Sequence, residues 1–112
     1  MTNILGTIDV NHSFLYIMPK MTLQVRTHNN LLELLSKNES GVWVVGKSKV
    51  EQITHVQVVS FDGTQMIEGI FDRHSSFYTD EFGQDRLVIK FLDGRIVNCN
   101  VEFNGENPVR YV

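Results

Sequence analysis

At 112 residues, 42% hydrophobic and 21% charged, the chain has the size and balance of one globular domain around one core, residues 1–112. Its formal net charge of −3 is too mild for a strong polyanion binder or a DNA mimic. No apolar run approaches the roughly 20 residues of a membrane span, so no membrane partner is expected. The opening stretch "MTNILGTIDVNHSF" has no basic region followed by an apolar block, and is expected not to be a secretory signal. A single cysteine, Cys99, excludes an internal disulfide and points to a reducing compartment, the cytoplasm. Charge is uneven. Residues 1–60 hold five basic against four acidic residues, and residues 61–112 five against nine. Any anion site is therefore expected in the first half, where Lys47 and Lys49 are the densest basic point.

In chain order, "NILGTIDV" and "SFLYIMP" read as strands around a turn at Asp9–His12, with Pro19 ending the second. A strand near Val25 leads into "NNLLELLSKN", the clearest helix. Leu31, Leu34 and Leu35 share one face, with Leu32 widening it; Asn30 and Glu33 stand in a capping relation, and Asn38 and Gly41 are stops. "VWVV" is a strand. Ser48-Lys49-Val50-Glu51 has the S-x-x-E form of a capping box and is expected to open a helix of about two turns. "HVQVVSF" and "QMIEGIF" flank Asp62-Gly63, and "RLVIKFL" and "RIVNCNVEF" flank Asp93-Gly94, so two hairpins are expected. In the last strand Val97, Cys99, Val101 and Phe103 alternate with polar residues, which makes Cys99 a small core residue rather than a nucleophile. "DRHSSFYTDEFGQ" reads as a polar loop pinned by Phe77, Tyr78 and Phe82.

"GVWVVGKS", Gly41 to Ser48, satisfies the phosphate-loop pattern G-x-x-x-x-G-K-[ST]. The chemistry needs a coiled, glycine-rich backbone that turns its N–H groups inward. Val42, Trp43, Val44 and Val45 instead favour an extended pleat. A helix end precedes the motif where a strand is required, and too few residues follow it for the roughly ten or more of a parallel crossover. Nucleotide hydrolysis is therefore not expected. What survives is a helix start with Lys47, Ser48 and Lys49 around it, able to hold one phosphate or carboxylate. His12, His28, His55 and His74 lack metal-ligand spacing, so no metal or other cofactor is expected. Asp72 with His74, and Asp80 with Glu81, form no constellation that names a reaction.

The order strand, helix, "NESGVWVVGKSKVEQITHVQVVSFDGTQMIEGIFD", together with the final "NPVRYV", resembles a group of uncharacterised bacterial and phage domains. In that group a helix leads into Ala-Thr-Arg-Gly-x-Trp and the chain closes on Asn-Pro-Ile-Arg-Tyr-Val. Gly41, Trp43, Ile67, Gly69, Asn107, Pro108, Arg110, Tyr111 and Val112 match in kind, whereas Ser40 stands where the group has arginine. The organisation resembles the PUA-like superfamily, which includes PUA, ASCH and EVE domains. This resemblance implies an α+β fold: a small curved β-barrel of five to seven strands, mixed or mainly antiparallel, with two short helices. It implies a non-enzymatic module binding nucleic acid or a nucleotide, including a modified base. Trp43 would be the stacking surface unless it is a core aromatic. Lys47, Ser48 and Lys49 would hold phosphate, and Arg110, Asn107 and Tyr111 would add polar contacts beside Trp43. The alternative is a phage-type inhibitor that binds a host enzyme through the aromatic "SSFYTDEF" loop.

Overall fold

The computed structural model describes residues 20–81 and 83–112; the two strands expected before Lys20, and Phe82, lie outside them. The first described strand, β1 (Met21–Thr27), follows from strict alternation, with Leu23, Val25 and Thr27 buried on one face. It pairs in parallel with β3 (Ile53–Ser60). A parallel pair needs a long crossover, and residues 28–52 supply it, carrying α1 (Leu31–Lys37), β2 (Glu39–Trp43) and α2 (Lys47–Val50).

Helix α1 forms as its sequence requires. The Asn30 side chain accepts from the Glu33 N–H at 3.2 Å, and Asn38 ends the helix in the left-handed conformation, φ 53°. Leu31 and Leu34 are buried, whereas Leu32, expected to widen the apolar face, is 68% exposed. Helix α2 departs further from expectation. It is a single turn capped by Gly46, which has no side chain to cap it and offers only its carbonyl oxygen, accepting from Lys49 N–H at 2.9 Å; Ser48 lies inside the turn. The buried Val45 and Ile53 pin the segment at both ends and leave room for one turn only, so the S-x-x-E box does not form.

Strand β3 turns through Asp62-Gly63 into β4 (Gln65–Phe71), the expected hairpin. The Asp62 carboxylate accepts from the Ser60 hydroxyl at 2.7 Å, the Thr64 N–H at 3.0 Å and the Thr64 hydroxyl at 2.8 Å. Those bonds, the Ser60 one foremost, hold its pKa below the ordinary carboxylate value. Gly63 has φ +78°, and a Cβ there would meet the Val101 carbonyl oxygen at 2.1 Å. Val101 N–H in turn donates to Gly63 O at 2.9 Å.

The second Asp-Gly behaves differently. Residues 84–98 form one strand, β6 (Gln84–Asn98), that runs straight through Asp93-Gly94. Asp93 takes φ +54° and the ladder to β4 slips between Glu68 and Ile70, so the dipeptide makes a bulge and not a turn. Gly94 is required by its neighbour: a Cβ there would lie 2.5 Å from Phe91 Cε1 and 3.0 Å from Leu35 Cδ1. Beyond Asn98 the chain leaves strand geometry, and Val97, Cys99, Val101 and Phe103 are half-buried, so the face expected to be core is only partly covered.

The segment expected as a loop contains β5 (Phe77–Glu81), which pairs with the first half of β6. Strand β7 (Val109–Tyr111) lies antiparallel on the other side of β1. The sheet order is β2-β6-β4-β3-β1-β7, with β5 also on β6. The result is a small curved mixed sheet of α+β type, a half-barrel with two short helices. Leu23, Val25, Val58, Ile67, Ile89 and Phe91 fill its concave side, each at 1% exposure or less, and each such side chain contributes roughly 1.5–3 kcal/mol. No helix among the described residues is long and apolar enough to cross a membrane.

Gly63→Ala combines a strained φ with a backbone clash. It should destabilise the domain by about 1–3 kcal/mol in urea unfolding, with Val101 amide exchange accelerated. Unchanged stability would contradict the packing of residues 99–101 on this turn.

Candidate functional site

The end strands of the sheet path, β2 and β7, lie far apart in sequence, and among the described residues no ladder joins them. Two adjoining clefts occupy this seam. One, about 400 Å³, is lined by Arg26 and His28 at the end of β1, Ser40 and Trp43 of β2, Phe61 of the β3–β4 turn, and Pro108. The other, about 290 Å³, is lined by Val42, Trp43, Val44, Arg86, Asn107 and Pro108. Trp43 lines both. Its indole N–H donates to Ser40 O at 2.8 Å, which fixes the ring, and one part of it packs on the core. Trp43 is half-buried, with one part against the core and the rest at the clefts.

Cation and ring alternate beside the larger cleft. The His28 ring stacks on Phe61 at 3.8 Å. The Arg26 guanidinium lies 3.8 Å from the Phe61 centroid and 4.8 Å from that of Phe103, and its Nε donates to Phe61 O at 2.9 Å. The Arg110 guanidinium lies 4.8 Å from the other contact of this series, Phe103. Arg110 Nε also donates to Gln24 Oε1, and Gln24 Nε2 to Gln57 Oε1 at 2.8 Å. Contacts of this kind contribute about 0.5–1 kcal/mol where exposed and more where dry. They hold Phe61 in place although it is 47% exposed.

The structure does not gather the sequence-predicted residues into one cluster. Trp43 and Asn107 meet at the seam. Lys47 is engaged elsewhere, 3.0 Å from Asp85 and 5.1 Å from the Tyr78 ring centroid. Lys49 stands 5.6 Å from the Tyr111 centroid, and Ser48 is exposed on α2 between them. Arg110 and Tyr111 are successive residues of β7 and face opposite sides, so Arg110 does not share a cleft with Lys47. The final segment does pack: Val109–Tyr111 pair with β1, and Thr22 and Val112 exchange backbone hydrogen bonds at 2.9 Å each way.

Sequence reasoning missed Arg26, His28, Phe61 and Arg86. Arg26 and His28 carried a faint signal as polar residues in alternation at a strand end; Phe61 stands 35 residues from Arg26, and nothing local links them. Among the described residues, two buried side-chain polar atoms lack a hydrogen-bond partner, Ser40 Oγ and Arg86 Nε, and each belongs to a residue lining one of the two clefts.

Gly41, Val42 and Trp43 lie in strand β2, antiparallel to β6, so the backbone of the G-x-x-x-x-G-K-S match does not curl into a phosphate loop. Asp72 accepts from Ser75 N–H at 3.3 Å and Ser76 Oγ donates to Asp72 O at 2.8 Å, a turn that organises the backbone. Among the described residues no group of three or more His, Cys, Asp or Glu is placed to hold a metal ion. Burial, with Asp62 and Glu68 nearby, raises the Cys99 thiol above its ordinary pKa, and Sγ donates to Gly63 O at 3.2 Å.

A raised thiol pKa means less thiolate at any pH below it. The iodoacetamide rate of Cys99 should therefore rise with a midpoint above that of a cysteine model peptide. A midpoint at or below the peptide's would contradict the burial seen here. No protein-family model, curated protein or solved structure matches the chain.

Proposed function

We propose that this domain is a non-enzymatic binding module for single-stranded nucleic acid or a nucleotide, seating one base, including a modified base, in the larger seam cleft. The observation that carries the reading is the lining: an indole, a His–Phe stack and a guanidinium around one cleft of about 400 Å³. That volume is in the range of small-molecule sites, about 300–1,000 Å³. Stacking on such aromatics is worth about 1–3 kcal/mol per base and tolerates any base, because every base has a π-face. Glu106, which also lines the cleft, would accept from a base N–H.

The half-barrel of mixed strands with two short helices is compatible with the PUA-like resemblance, and a single-base pocket is what that resemblance implies. Cytoplasmic location is part of the same proposal, and the lone cysteine supports it. One observation favours the protein-binding alternative: Phe77 on β5 is 53% exposed, an aromatic anchor of the kind that interfaces use.

Trp43 is the only tryptophan, so its fluorescence reports on the seam alone. Single-stranded oligonucleotides should quench or shift it saturably, with affinity falling as salt rises. Phe61→Ala, which releases the His28 ring and the Arg26 guanidinium packed on that ring, should weaken binding, while Lys47→Glu with Lys49→Glu leaves the Trp43 response in place. No saturable response at low salt, beside capture of a host protein that Phe77→Ala abolishes, would favour the alternative.

A further inference from the structure

The smaller cleft carries its own chemistry. Arg86 reaches it from β6, opposite Thr79 of β5. Its Nε is buried and, among the described residues, without a hydrogen-bond partner. A buried N–H left this way is costly, and more so on a charged group, so the position calls for an acceptor. Neighbouring Asp85 is taken by Lys47 at 3.0 Å, and none of the residues lining the cleft is acidic. Asn107 Oδ1 already accepts from Val109 N–H at 3.0 Å, which leaves the Asn107 amide NH₂ as a donor. The remaining walls are Val42, Val44, Pro108 and the Trp43 ring. A cation, an amide donor and apolar walls suit an oxyanion, and a guanidinium is the side chain best matched to phosphate.

We propose that the Arg86 side of Trp43 is a phosphate subsite, so that the protein recognises a base together with the phosphate attached to it. The two clefts share Val42, Trp43 and Pro108, and a ligand spanning them passes the edge of the indole. The inference rests on the base-binding reading for the identity of the phosphate's bearer, but the subsite itself stands on Arg86 and Asn107. It moves the anion contact away from Lys47 and Lys49, where the sequence put it.

The test uses the full chain labelled with ¹⁵N-arginine, whose five arginines give separable Nε–Hε signals; Arg86→Lys identifies the one concerned. Inorganic phosphate should shift the Arg86 signal saturably, acetate should shift it less, and the other four should stay in place. In a second arm, Trp43 fluorescence compares a nucleoside with its 5′-monophosphate. The monophosphate should bind about tenfold tighter or better, and Arg86→Gln should erase that preference while nucleoside affinity stays. An Arg86 signal that ignores phosphate, with nucleoside and monophosphate binding equally, overturns the subsite and leaves the base cleft standing. A saturable phosphate shift with no Trp43 response to the nucleoside overturns the base cleft and leaves the subsite. Should Arg86→Gln fail to fold, the wild-type resonance shift decides alone.

Discussion

The bend in β6 is the constraint on which the rest of the molecule depends. One strand of 15 residues pairs with β5 and β2 along its first half and with β4 along its second. It can serve both only by changing direction, and it does so where Asp93 enters the left-handed region and Gly94 leaves space for Phe91. Phe91 is 1% exposed and lies against Gly69 and Gly94 together. Helix α1 covers the bend through Leu35. Any side chain at Gly94 would push the Phe91 ring out of the core or straighten the strand. Straightening would carry β2 away from β7 and dissolve the seam.

The seam is therefore a consequence of curvature without closure. The sheet curls far enough to bring Trp43 near Pro108, but among the described residues no ladder joins the two edges. Edge strands left unpaired are a liability that proteins cover or block. Here the edges carry a proline, an indole bonded to its own strand at Ser40 O, and two clefts. Among the described residues, two buried polar atoms lack a hydrogen-bond partner, Ser40 Oγ and Arg86 Nε, and their residues each line a cleft that the indole also lines. Buried orphans are uncommon enough in folded proteins that each calls for a partner. The His28–Phe61–Arg26–Phe103 series braces one wall of this region from the turn and from the segment before β7.

Much of this was legible in the sequence where the signals were local. Asn30, the Leu31 and Leu34 spacing and Asn38 specified α1, and the alternation in Leu23, Val25 and Thr27 is that of a half-covered strand. The two Asp-Gly pairs show where locality ends. Asp62 has Ser60 and Thr64 within reach to brace a turn, and there the hairpin forms. Asp93 is flanked by Leu92 and Arg95 beyond its glycine, has no such neighbours, and its strand continues because β4 is available to pair with it. Ser48-x-x-Glu51 had the right letters for a cap, but the burial of Val45 and Ile53 set the helix length instead. "SSFYT" read as a loop because it is polar; in the fold Ser76 Oγ accepts from Lys90 N–H at 2.9 Å and delivers the chain into β5. For the site, Trp43 and Asn107 were legible, while Arg26, Phe61 and Arg86 meet the seam only through pairings between strands distant in sequence, which no local pattern encodes.

The central claim is that ligand enters at the seam between β2 and β7 and not at the lysine-bearing turn. An amide and indole NMR map during titration with a short single-stranded oligonucleotide tests it most directly. Shifts should concentrate on the Trp43 indole N–H, on Ser40 to Val44, on Arg26 to Asn29, on Phe61 and on residues 106–109. Shifts centred on Lys47–Val50 and Tyr111, with the Trp43 indole unmoved, would contradict it.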